Sequence, residues 1–141
     1  MHDVSDAPRE RSLERVLREE VGRFRQRESR RKFDPVLHVG RLGGTRDSFV
    51  VRRADLPALD TALRTEVVYS LLTQSGPDDR TAWLTRPGVP EPCDADWDWF
   101  SATRAAFEIN SRPLDGFYAI TRTGWLDLRT GRSRTWVRLR L

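Results

Sequence analysis

Cysteine, methionine and lysine occur once each in the 141 residues, as Cys93, Met1 and Lys32, and histidine twice, as His2 and His38. One thiol makes no internal disulfide, and Cys93 stands between Pro92 and Asp94 in an acidic setting unsuited to a nucleophile, so a structural cysteine is expected. Two histidines are too few for a histidine-built metal site or a Ser-His-Asp triad with its usual context. His38 is read as a strand residue with a hydrogen-bonded imidazole. No apolar run approaches the 18 or more residues that cross a bilayer, and the first 30 residues hold no signal-like stretch. The expectation is a cytoplasmic protein with no membrane partner, no metal and no cofactor. What remains is ordinary globular material: 38% hydrophobic residues in a chain long enough to bury about 68–70% of its unfolded surface.

The charge is unevenly laid out. Of 25 basic residues 24 are arginine, a bias that a GC-rich genome produces by itself, so abundance argues little. Placement argues more. Residues 22–32 and 122–140 are strongly basic, whereas 54–115 is net acidic, so the two ends can attract the middle as readily as an external polyanion.

Apolar periodicity predicts the elements. Leu13, Val16, Leu17, Val21 and Phe24 recur at helical spacing, giving an amphipathic helix over 7–31 whose stripe needs the body or a second copy to cover it. Val36–Val39 and Ser48–Arg52 read as a hairpin around Gly40, Gly43 and Gly44. Asp55 is the expected cap of a helix with Leu56, Leu59, Leu63, Val67 and Leu71 on one face, stopped by Gly76-Pro77. A strand around Trp83 follows, then a helix from Asp94 to about Asn110, acidic in its first turn as the dipole favours. Adjacent Trp97 and Trp99 lie about 200° apart on a helix, so one of them is expected at the surface. Three strands, 117–122, 125–128 and 134–141, close the chain as an antiparallel meander. The sum is an α+β fold: an antiparallel sheet with helices mainly on one face, divided into an N-terminal basic helical arm, 1–34, and one domain, 35–141.

Candidate chemistry is sparse. Asp94-Ala-Asp96-Trp-Asp98 opens like a calcium loop but carries Trp99 where glycine is needed and Ala105 where a bidentate glutamate is needed. The Gly40–Asp47 segment lacks a phosphate-loop pattern and suits a hairpin better. No catalytic residue is assigned. In the last strand, alternation places Thr135, Val137, Leu139 and Leu141 toward the core and Arg134, Trp136, Arg138 and Arg140 outward, with Arg122 on a neighbouring strand. Guanidiniums pair with phosphates and an indole stacks on bases, so this face is the leading binding candidate. Arg23, Arg27, Arg30, Arg31 and Lys32 form a secondary basic patch, and Arg86 with Arg122 a third possibility, an anion pocket.

The segments Ala82-Trp-Leu-Thr-Arg-Pro-Gly88 and Thr121–Arg140 resemble a family of small uncharacterised proteins of high-GC Gram-positive bacteria, over about residues 54–141. The resemblance implies no activity and no catalytic residues. The functional expectation is a non-enzymatic protein that docks a protein partner or itself through the N-terminal helix, for which a homodimer is one form. The alternatives are a nucleic-acid binder using the Arg/Trp face, and an enzyme or sensor for a small anion.

Overall fold

A computed structural model describes residues 6–137, with side chains from residue 9 onward. Its elements run α1 (Asp6–Arg27), β1 (Val36–Gly40), β2 (Arg46–Val50), a 3-10 turn (Arg53–Ala58), α2 (Thr61–Gln74), β3 (Thr81–Thr85), α3 (Asp94–Ile109), β4 (Gly116–Ile120), β5 (Gly124–Asp127) and β6 (Ser133–Thr135). The six strands form one sheet in the order β2-β1-β3-β4-β5-β6. Every neighbouring pair is antiparallel except β3 and β4, which run parallel because α3 carries the chain back between them. The fold is α+β.

Alternation along each strand feeds two cores. Leu37, Val39, Ala82, Leu84, Phe117, Ala119 and Leu126 point to one face and meet Val68, Leu71 and Leu72 of α2 and Trp99, Ala102, Ala106 and Phe107 of α3. The intervening Trp83, Tyr118, Ile120 and Trp125 point to the other face, where Leu17, Val21 and Phe24 of α1 cover them. The apolar stripe of α1 thus lies on the body of its own chain. The surface expected to dock a partner or a second copy is used internally.

Four expectations about local structure are corrected. Helix α1 ends at Arg27, not Arg31, because Phe33 folds back to pack edge-on against Phe24, with ring centroids 5.4 Å apart, and so turns 28–32 into a connection. Helix α2 starts at Thr61, where the Asp60 carboxylate accepts the Leu63 N–H at 2.8 Å. Pro57 and Asp55 belong to the 3-10 turn before it. Its buried stripe is Val68, Leu71 and Leu72, while Leu56 and Leu63 stay exposed. The third and fourth corrections concern the last strand, which pairs only over Ser133–Thr135 and presents the opposite face from the one expected. Thr135 is exposed and Val137 is 92% exposed, whereas Trp136 packs into the α1 cluster. The indole offers more apolar surface than Thr135 or Val137 and takes the place under the helix. Of the tryptophan pair, Trp97 is 48% exposed and Trp99 3%.

Candidate functional site

The alignment of α1 on the sheet builds a groove. Arg11, Arg15 and Arg18, spaced i, i+4 and i+7, line the same edge of the helix. Register places Arg134 opposite Trp125 on one sheet face, and Trp136 follows two residues on, its N–H donating to the Thr123 carbonyl at 2.7 Å. Together with Glu14 these side chains enclose about 250 Å³. The Arg18 and Arg134 guanidiniums each stand 5.9 Å from the centre of the Trp136 ring, within cation-π range. The one carboxylate in the groove, Glu14, is held by Arg132. Arg11, Arg15 and Arg134 make no ion pair among the described residues. The buried Trp125 indole N–H likewise has no acceptor among them.

Of the residues singled out from sequence, Arg134 and Trp136 therefore meet in one groove, and α1 adds Arg11, Arg15 and Arg18 to them. Arg138 and Arg140 lie outside the described residues. Arg122 is half-buried in the β4–β5 turn, and its Nε has no hydrogen-bond partner among the described residues. Helical spacing was the available signal for the three missed arginines, but which edge of α1 meets the sheet is a tertiary fact.

The secondary basic patch is scattered. Arg23 contacts Glu20 at 3.4 Å, Arg30 contacts Glu28 at 2.8 Å, and only Arg27 of the five lies in α1 without an ion pair among the described residues. The Arg86 pocket is a correction. All five N–H donors of Arg86 are spent inside the chain: two on Asp96, at 2.7 and 2.8 Å, and three on the carbonyls of Pro87, Val89 and Glu91. Burial opposes the charge of Arg86, but Asp96 outweighs it and moves the guanidinium pKa upward. This arginine staples a loop and has no donor left for a ligand.

His38 sits between two hydroxyls, Nδ1 2.6 Å from Ser48 Oγ and Nε2 3.0 Å from Thr85 Oγ1. Thr85 in turn donates to the Val36 carbonyl, so the consistent tautomer carries its proton on Nε2 and accepts from Ser48 at Nδ1. This contact resembles a nucleophile and its base. Burial, then the Arg46 charge, pulls the imidazole pKa down to about 3, far below what an effective base at neutral pH requires. His38 is a polar anchor of the sheet, stacked on Trp83 at 5.3 Å.

Beside it, buried Glu20 accepts from Arg46 Nη1 and Nη2 and from the Gly43 N–H at 2.6 Å. The glycine loop that might have cradled a phosphate holds the chain's own carboxylate instead. Burial pushes the Glu20 pKa up, but the Arg46 and Gly43 hydrogen bonds and the neighbouring arginine charges prevail and leave it below the usual value.

Among the described residues no cluster of three or more His, Cys, Asp or Glu side chains is placed to hold a metal, and no helix is long and apolar enough to cross a membrane. Asp96 faces Arg86 while Asp98 lies 3.9 Å from Arg64, so the calcium-like run splits between two arginines. The chain matches no protein-family model, no curated protein and no solved structure. The reading of the site rests on its geometry.

Proposed function

We propose that this is a cytoplasmic, non-enzymatic binding protein that takes single-stranded nucleic acid into the groove between α1 and β6. The observation that carries the reading is Trp136, half-buried with guanidiniums 5.9 Å from its ring, in a groove where Arg11, Arg15 and Arg134 are not neutralised by acids of the described chain. An unstacked base on an indole contributes about 1–3 kcal/mol, and the phosphates on either side of it pair with guanidiniums. A duplex hides its base faces, so stacking selects single strands. A protein partner is less well served, since the apolar stripe of α1 is already buried in the core.

The test is a tryptophan-fluorescence titration with short oligo(dT) and oligo(U) over a range of salt. The three groove arginines without an ion pair, Arg11, Arg15 and Arg134, give a log-log salt slope of about −2 on a single strand. Removing two of them in Arg11→Ala/Arg15→Ala, both exposed, brings the slope to about −0.7 and weakens binding. Arg104→Ala, exposed on α3 at the opposite face of the sheet, leaves both unchanged. Absence of binding at low salt, or indifference to the double substitution, overturns the proposal.

A further inference from the structure

A second cleft, independent of the groove, opens at the carboxyl end of β3, where the chain leaves the sheet for α3. It encloses about 580 Å³, within the range of drug-sized ligand pockets. Its apolar lining is Phe33 from the α1–β1 connection, Val51 and Leu56 from the segment after β2, and an edge of Trp99 from α3. Two cations, Lys32 and Arg53, stand on its wall and make no ion pair among the described residues. A third, Arg30, is held by Glu28, and Asp34 is the one acid in the lining.

Two further observations bear on what the cleft takes. Strand β3 belongs to the one parallel pair of the sheet, and the cleft lies beyond its carboxyl end, where the chain turns toward α3. The wall contributed by the β3–α3 connection is rigid, because Arg86 ties the carbonyls of Pro87, Val89 and Glu91 to Asp96 in the first turn of α3. A preformed wall lowers the ordering cost of binding. Leu56, 54% exposed, leaves a large apolar side chain at the mouth of a cleft otherwise rimmed by charge.

We infer that this cleft binds a small amphiphilic carboxylate with a flat aromatic body, the ring lying on Phe33 and Leu56 and the carboxylate meeting Lys32 and Arg53. Charge complementarity selects the anion. The apolar lining selects the ring, since edge-to-face and offset contacts add to simple burial. A phosphorylated sugar would waste the lining, and a neutral aromatic would leave two cations unanswered.

Isothermal titration of the full chain with 2-naphthoate tests this, beside its neutral isostere 2-naphthalenemethanol and the cation 2-naphthylmethylammonium. Saturable binding of naphthoate is expected, with the alcohol at least about tenfold weaker and the cation weaker still. Lys32→Ala/Arg53→Ala lowers naphthoate affinity about tenfold and brings it level with the alcohol. Leu56→Glu, at an exposed position, removes binding while circular dichroism and melting temperature stay as in the parent. No saturable binding of naphthoate, equal affinity for acid and alcohol, or indifference to either variant overturns the inference. Arg11→Ala/Arg15→Ala leaves naphthoate binding unchanged, which separates this result from the fate of the nucleic-acid reading.

Discussion

Asp96 and Arg86 hold each other through two parallel hydrogen bonds, Nε to Oδ1 at 2.7 Å and Nη2 to Oδ2 at 2.8 Å, with both residues out of solvent. Removing one member of such a pair strands a buried charge, so Asp96→Ala is expected to cost about 3–5 kcal/mol in urea unfolding. Arg86→Lys fares little better, since an ammonium cannot reach the carboxylate and three carbonyls from one plane. Glu28→Ala breaks only the exposed pair with Arg30 and should cost less than about 1 kcal/mol. Equal costs for the buried and the exposed pair would refute the staple.

Acid should unfold the protein earlier than its composition suggests. Unfolded, His38 takes a proton near its ordinary value of 6.5; folded, it does so only at about 3. The unfolded state therefore binds more protons throughout that window. The stability His38 contributes is complete above pH 6.5 and declines toward pH 3 by up to about 1.4 kcal/mol per pH unit. Glu20, whose folded pKa is also depressed, adds a second loss below its ordinary 4.5. His38→Gln should flatten denaturation midpoints between pH 6.5 and 4.5, and unchanged pH dependence in that variant would count against the buried neutral imidazole.

Gly124 pairs with Thr135 across the last strand pair, so close to β6 that a Cβ there would lie 2.0 Å from the Arg134 carbonyl oxygen and 2.9 Å from Pro90 Cγ. Gly124→Ala must push β6 away. We expect a loss of about 1–3 kcal/mol from overpacking, together with weaker oligonucleotide binding although no groove side chain is altered. Retained affinity would mean that β6 does not position Arg134 and Trp136.

A chain beginning at Phe33 loses Leu17, Val21 and Phe24, each worth about 1.5–3 kcal/mol of burial. That sum rivals the whole stability of a typical domain, about 5–15 kcal/mol. Size-exclusion chromatography and near-ultraviolet circular dichroism should find it aggregated or without fixed aromatic packing. A monomeric truncated chain of parental stability would show that α1 is dispensable to the fold.

Much of the architecture was legible because strand alternation and helix caps are local. Helix α3 starts at Asp94 as its acidic first turn indicates, and β1 and β3 fall close to where the Val and Trp runs place them. The last strand was misread because alternation says which residues share a face and not which face is inward. Val137 and Trp136 competed for one covered position, and the larger side chain took it. Arg86 was open to misreading because its partner Asp96 also reads as a helix cap, and it is one: its Oδ2 accepts the Cys93 N–H at 3.1 Å. The groove was half visible. Arg134 and Trp136 stand together in the sequence, whereas Arg11 and Arg15 reach them only after about a hundred residues of chain have folded between.

The placement of α1 also fixes an order of events during synthesis. Leu17, Val21 and Phe24 are made well before Trp125 and Trp136, two of the tryptophans that shelter them. Until they emerge the nascent helix carries an uncovered greasy edge, and the second core closes only when these distant segments meet, as a ring is closed by its clasp.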